Sequence, residues 1–313
     1  MSLPLKLYTA DQVRKLDRIA IDEFNIPGFT LMQRAGQATY KHILDSYPDT
    51  KSLCVVCGIG NNGGDGYVIA TLAKKAGLAV SVIQLGEANS VKGDALLARE
   101  NLLKSGVKTS PLKIDLLDVD IIVDAIFGTG LTRDITGAWA DTINAINKSQ
   151  AKKVAVDIPS GLCADTGKIF DTCIKADLTV TYIGLKSGLF TGKARDYTGA
   201  IEFNDLQVPD AVYDALSPAP SRELIPESII HQTLKPRSRC SHKGDYGNVL
   251  LIGGAKGMSG AIRLAAEASL RCGAGLVNVA THPAHAEYIN VNRPEIMVCL
   301  LYTSDAADES SRV

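Results

Sequence analysis

Three stretches of the chain put oxygen-bearing side chains and glycines side by side at what read as strand ends. Residues 58–66, GIGNNGGDG, fit G-x-G-x-x-G at Gly58, Gly60 and Gly63, where missing Cβ atoms would let backbone N–H groups approach a phosphate at a helix N-terminus. A tight strand-to-helix turn would need the same glycines. Asn61, Asn62 and Asp65 add amide and carboxylate oxygens, which suit a hard cation as well as a phosphate-bearing ligand. Residues 121–134, IIVDAIFGTGLTRD, set Asp124 in an otherwise apolar strand and Gly128, Thr129 and Gly130 in the loop after it. That loop reads as a second phosphate cradle or a plain βα turn, and a carboxylate in a buried strand requires a partner. Residues 154–161, VAVDIPSG, end a strand on Asp157, stiffen the turn with Pro159 and offer the Ser160 hydroxyl. One such Asp could simply cap a helix. Three polar strand ends in one parallel sheet would meet on a common rim. Lys186 and Lys193, in glycine-flanked loops, could neutralise phosphate or merely be solvated.

The elements that must position these groups follow from periodicity. Residues 53–77 read as a buried strand, the glycine-rich loop and an apolar-periodic helix closed by Gly77, which is half of a βαβ unit. Upstream, Thr9 with Gln12 makes a capping box for a helix with the stripe Val13, Leu16, Ala20 and Phe24, stopped at Pro27-Gly28. Thr30 with Gln33 opens a second helix whose face, Met32, Ala35, Gly36, Thr39 and Ile43, is small enough for close packing. Both helices read as scaffold. Apolar runs at 79–85, 121–127, 154–158 and 178–183 alternate with helical stretches at 96–104 and 138–147, so the expected fold is α/β, a Rossmann-like three-layer α/β/α arrangement with a mostly parallel sheet. Residues 208–226 collect Pro209, Pro218, Pro220 and Pro226 and read as a linker. A further strand (249–252), glycine-rich loop (253–260), helix (262–272) and strand (277–280) follow. The last stretch, LYTSDAADESSRV, turns polar and loses both periodicities.

With 313 residues and 46% hydrophobic side chains the chain has material for two packed domains. A net charge of −1 gives no basic field for nucleic acid or an anionic membrane. No apolar run approaches spanning length and the first residues carry no apolar leader, so a cytoplasmic protein is expected. Seven scattered cysteines argue for reduced thiols. Cys54 and Cys57 mimic a C-x-x-C motif, but three residues apart on a strand they face opposite sides and read as core.

Residues 8–298 resemble the family of bifunctional NAD(P)H-hydrate repair enzymes, in which an epimerase precedes an ADP-dependent dehydratase. NNGGDG at 61–66, VDAIFGTGL at 123–131, DIPSG at 157–161 and GLKSGLFTGKARDYTG at 184–199 carry the epimerase part. HKGDYGNVLLIGGAKGMSGAIRLAAEASLRCGAGLV at 242–277 and RPEIMV at 293–298 carry the other. The resemblance implies an epimerase domain over 1–215, a linker over 216–226, an incomplete ribokinase-like α/β fragment of the dehydratase over 227–300, and a foreign tail over 301–313. The family's later nucleotide-binding motifs are absent, so dehydratase activity is expected to be lost. Asn61, Asn62, Gly63, Gly64, Asp65, Gly128, Thr129, Gly130, Leu131, Thr132, Arg133, Asp134 and Asp157 would bind hydrated NADH or NADPH. Asn62, Asp124 and Ser160 would hold a potassium ion, satisfying an otherwise orphaned Asp124. Asp157 would transfer the proton as C6 of the hydrated ring inverts. A homo-oligomer is left open. Two rivals are an NAD-dependent dehydrogenase, with Glu87 on the ribose, and a non-enzymatic binding module on the same fold, against which the near-neutral charge and the intact polar loops speak.

Overall fold

The computed structural model describes residues 3–111 and 118–301, in two units, Met1–Pro226 and Glu227–Val313. In chain order the first unit runs β1 (Lys6–Tyr8), α1 (Ala10–Asp22), α2 (Gly28–Ser46), β2 (Ser52–Cys57), α3 (Asn61–Lys75), β3 (Ala79–Gln84), α4 (Gly93–Lys104), β4 (Thr109–Ser110), β5 (Ile121–Ala125), α5 (Ala138–Lys148), β6 (Lys152–Val156), β7 (Leu178–Tyr182), β8 (Leu185–Lys186), β9 (Ala200–Asn204), α6 (Asp210–Asp214) and β10 (Arg222–Glu223). Seven strands form one parallel sheet in the order β4-β3-β2-β5-β6-β7-β9. Every residue of β5 and β7 is buried, as a strand covered on both faces requires. Cys54 and Cys57 belong to two apolar clusters on opposite faces. One holds residues of α1 to α4, the other those of α5. That is the α/β/α layering expected from the strand–helix alternation.

Thr9 caps α1, with both arms of the capping box formed. The second helix starts differently from the sequence reading. It begins at Gly28, and the Pro27 carbonyl accepts from the N–H groups of Thr30 and Leu31 at 2.8 and 3.2 Å, so Thr30 lies inside the first turn and caps nothing. Pro27 (φ −57°) opens α2, whereas α1 has already ended at Asp22. The small face of α2 is buried as expected, at Met32, Ala35, Gly36, Thr39 and Ile43.

A second, three-stranded ribbon, β10-β1-β8, stands beside the main sheet, with Tyr8 paired to Lys186 and Leu7 to Arg222. Residues 208–226, linker-like in composition, contribute Val208, Val212 and Leu216 to the first core and then β10 to this ribbon. The prolines limit the length of these pieces but do not free the stretch from the first unit.

The second unit contains α7 (Ser228–Thr233), β11 (Asn248–Ile252), α8 (Gly260–Arg271), β12 (Leu276–Thr281), α9 (Ala286–Ile289) and β13 (Met297–Leu300). Its parallel sheet β11-β12-β13 is one strand wider than periodicity alone suggested. Ile262 and Ala266 of α8 pack on Val277 and Val279, while Leu250 and Ile252 stay 59% and 68% exposed. Of the tail assigned to 301–313, residues 302–313 lie outside the described residues. Among the described residues, no helix is long and apolar enough to cross a membrane.

Candidate active site

Strand order reverses between β2 and β5, and a parallel sheet opens a crevice at the carboxyl ends of its strands where this happens. A cleft of about 700 Å³ lies there. A larger cavity, about 840 Å³, opens at the opposite rim around Thr50, Asp120 and Lys152. Its central carboxylate is already spent: one Asp120 oxygen accepts from the N–H groups of Lys51 and Ser52, both at 2.8 Å, and from Ser52 Oγ at 2.9 Å. The candidate site is the cleft at the switch point.

On one side of the cleft α3 begins directly after the loop that leaves β2. A Cβ on Gly58 would lie 2.0 Å from the Ile126 carbonyl oxygen, and one on Gly63 2.1 Å from that of Gly58, so these two glycines close the loop. A Cβ on Gly60 would meet nothing within 4 Å. The middle glycine therefore faces the cleft, where a ligand can come close to the helix N-terminus. Asn61, Asn62 and Asp65 line the cleft with it, and Gly128, Thr129, Gly130, Leu131, Thr132 and Arg133 form the facing wall. Gly63 and Gly64, expected at the ligand, are buried packing positions, Gly64 lying against Met32. Asp134 is exposed and outside the cleft lining, because the loop turns away before it. Glu87 and Lys193 are likewise exposed and outside it.

Asp157 sits at the end of β6 with φ +68°, a left-handed conformation that a non-glycine residue seldom adopts and that active sites often store. Its N–H donates to the Val180 carbonyl at 2.7 Å, which holds the turn. The carboxylate accepts from Thr181 Oγ1 and the Tyr182 N–H, each at 3.3 Å, and from the Lys186 ammonium. Lys186 also donates to Thr181 Oγ1 and the Tyr182 carbonyl, both at 3.0 Å. Its side chain is 1% exposed against 16% for Asp157. This lysine is not a mobile phosphate clamp. Its charge is consumed by Asp157, Thr181 and Tyr182 where it lines the cleft, and β8 pairs it to Tyr8 of β1.

Two further carboxylates share the space. Asp65, the fifth residue of α3, has its pKa pushed well above the usual carboxylate range by burial, then by Asp157 and Asp17, with Lys186 opposing. Asp17 of α1 is raised to about 6, by burial first, then with Lys186 lowering and Asp157 raising. Asp17 and Tyr182 were not among the sequence-derived site residues, and Lys186 was weighed only as a phosphate-neutralising or solvated lysine. The available signal was Asp17's place on the buried stripe of α1, four residues after Val13 and three before Ala20.

Below the loop ends, Asp124 is fully buried and raised to about 6 by that burial, against its hydrogen bonds. It is not orphaned. One oxygen accepts the Ser160 N–H at 2.8 Å, the other Ser160 Oγ at 2.6 Å and the Ile126 N–H at 3.2 Å. The Phe127 N–H donates to Ser160 Oγ at 2.8 Å. On the cleft lining, the buried Nδ2 of Asn62 is without a hydrogen-bond partner among the described residues. Exchanging the ends of that amide would present a buried oxygen instead, so that Asn62, Asp124 and Ser160 each offer a hard oxygen donor. The donor set thus fits a hard monovalent cation better than a transition metal, and no group of three or more His, Cys, Asp or Glu suited to a metal occurs among the described residues.

Comparison with known proteins places residues 28–188 in the family model for the YjeF-related protein N-terminus and residues 249–313 in that for NAD(P)H-hydrate dehydratase. Curated relatives include the bifunctional NAD(P)H-hydrate repair enzymes of Escherichia coli (42% identical over 99% of this chain), Coxiella burnetii (41% over 93%) and Leishmania major (36% over 95%). The chain spans 60%, 59% and 54% of those relatives' lengths, respectively. A yeast protein of solved structure shares the fold, with TM-score 0.61 and 21% identity over 69% of this chain and 95% of its own.

Proposed function

The chain belongs to the family of YjeF-related N-terminal domains, and from that premise we propose that its first unit is an epimerase interconverting the R and S hydrates of NADH and NADPH. The observation that carries this reading is the pairing of Asp157 with Lys186 in a switch-point cleft that also holds Asp65 and Asp17. Inverting a carbon that bears both a hydroxyl and the ring nitrogen needs a base and an acid on one small site.

The dinucleotide phosphates would lie over Gly60 and the N-terminus of α3, facing residues 128–133, and the hydrated ring would reach inward to Asp157. Asp157 takes the proton of the C6 hydroxyl while the C6–N1 bond breaks. The bonding pair goes to N1, which receives a proton from a second group. C6 becomes an aldehyde carbon, turns about the C5–C6 bond, and N1 adds to its other face with both proton transfers reversed. Protons and electrons balance without an external oxidant or reductant. Asn62, Asp124 and Ser160 would hold a potassium ion, which supplies fixed positive charge beside the dinucleotide.

The second unit supports no comparable reading on its own. Its three-stranded sheet leaves Leu250, Ile252 and Leu264 exposed, and we propose that the 313-residue polypeptide performs no ADP-dependent dehydration. The test of the epimerase is direct: purified R-hydrate is incubated with the protein and the R:S ratio followed by chiral chromatography. Relaxation no faster than in buffer would refute it.

A further inference from the structure

Building on the epimerase reading, we infer that Tyr213 of α6 is a positioning residue for the reaction: its hydroxyl locks a strained turn at Ile183 and thereby aims the Tyr182 carbonyl at the Lys186 ammonium that pairs with Asp157. Tyr213 itself is outside the cleft lining, in a stretch whose proline-rich composition gives no sign of the site.

Strands β6 and β7 end alike. In each, a carbonyl accepts the N–H two residues on, across a residue in the left-handed region: Val156 from Ile158 at 2.8 Å across Asp157 (φ +68°), and Tyr182 from Gly184 at 2.6 Å across Ile183 (φ +60°). This is the rare, strained form of the three-residue turn. Asp157 has a short polar side chain that tolerates such a backbone, whereas for β-branched Ile183 it is an outlier that persists only where its surroundings over-determine it. Two bonds do so. The Ile183 N–H donates to the carbonyl of Asn204, the last residue of β9, at 3.0 Å, and the Ile183 carbonyl accepts from the Tyr213 hydroxyl at 2.8 Å. Burial raises the Tyr213 pKa above the usual phenol range, with Asp205, Tyr8, Asp210 and Asp17 adding to it, so the hydroxyl keeps the proton it donates. The turn matters because the Tyr182 carbonyl has two lone pairs and both are used. One accepts the Gly184 N–H that closes the turn, the other accepts Lys186 Nζ at 3.0 Å. The N–H of the same residue donates to Asp157 Oδ1 at 3.3 Å. Relaxation at Ile183 would swing the peptide between Tyr182 and Ile183 and withdraw one of the three oxygens that hold Lys186 against Asp157.

Tyr213→Phe separates this role from packing, since it keeps the ring 6.4 Å from that of Tyr8 and removes only the donor. Val212→Ala is the control: Val212 is fully buried on the same helix, and the change removes methyls and no donor. Two measurements are made on the wild type and both variants. The first needs no turnover. Exchange of the Lys186 ammonium protons, followed by ¹H–¹⁵N NMR of the substrate-free protein and assigned through Lys186→Arg, should be at least roughly tenfold faster in Tyr213→Phe and unchanged in Val212→Ala. The second is R:S equilibration. Tyr213→Phe should lower kcat roughly tenfold or more with KM held within about twofold, because the residue lies outside the cleft lining and a small misplacement of reacting groups costs rate, not binding. Val212→Ala should lower the urea midpoint and keep kcat. Unchanged kcat or unchanged Lys186 exchange in Tyr213→Phe, or the same changes in Val212→Ala, overturns the inference while the epimerase stands. If exchange quickens in Tyr213→Phe but the wild type equilibrates nothing, the functional reading fails and the positioning role falls with it.

Discussion

Lys186, at the end of β8, and Asp157, 29 residues earlier at the end of β6, form a buried ion pair in which the ammonium has three oxygen partners: Asp157 Oδ1, Thr181 Oγ1 and the Tyr182 carbonyl. Removing one member strands the other. Lys186→Met should cost about 3 kcal/mol or more of stability, as breaking buried pairs does. Adding Asp157→Leu to it should recover most of the stability and none of the activity. Urea unfolding of both variants, with the R:S assay, checks this. A single variant as stable as wild type would mean that the pair is dispensable for folding.

Asp157→Asn keeps the shape of the turn and removes the proton acceptor. The R:S equilibration rate should fall at least roughly a hundredfold, with hydrate binding by calorimetry changed only a few-fold. A small loss of rate would make Asp157 a ligand and not the base.

Gly60 and Gly63 separate ligand approach from folding. Gly60→Ala, with open space for the Cβ and φ −95°, should leave the melting temperature nearly unchanged and weaken hydrate binding by closing the approach to α3. Gly63→Ala, with a Cβ 2.1 Å from the Gly58 carbonyl oxygen, should destabilise the unit by at least about 1–3 kcal/mol. Equal effects on stability would contradict this division.

For the cation, melting midpoints in potassium and tetramethylammonium salts should differ for wild type by mass action. Ser160→Ala should abolish the difference, since it removes the hydroxyl between Asp124 and the Phe127 N–H. Identical wild-type midpoints in both salts would remove potassium from the site.

Stability should also carry the mark of the raised carboxyls. Asp17 and Asp124 rise to about 6, and burial raises Asp65 as well. A carboxyl with a higher pKa folded than unfolded binds more protons in the folded state between those values. Its contribution is therefore intact below about 4 and is lost as pH rises through the folded value. Asp17→Asn should accordingly stabilise the protein more at pH 8 than at pH 5, read as the shift in urea midpoint. A larger gain at pH 5 would reverse the sign of the argument.

The layers and the rim of this fold were legible because strand–helix alternation and polar strand ends are local signals. Asp124, Asp157 and the two glycine loops fell where periodicity placed them. Lys186 and Asp17 were not legible in the same way. Asp17 stands in the run Arg14, Lys15, Leu16, Asp17, Arg18, which resembles the solvated charge of any surface helix. Lys186 looked exposed because its burial depends on pairing with a carboxylate from another strand, and that is set by topology, not by neighbours in sequence. Proline content misjudged residues 216–226 for a similar reason: the pairing of Arg222 with Leu7 spans almost the whole unit.

The ribbon β10-β1-β8 also imposes an order of assembly. Tyr8 cannot find Lys186, nor Leu7 find Arg222, until those later residues have left the ribosome, although α1 precedes them in the chain. The parallel sheet can grow strand by strand during synthesis, while β1 must wait for both of its partners. Loops of this length close late, because their entropy must be met before their contacts exist. The first unit therefore builds its parallel scaffold before β1 is held between β8 and β10.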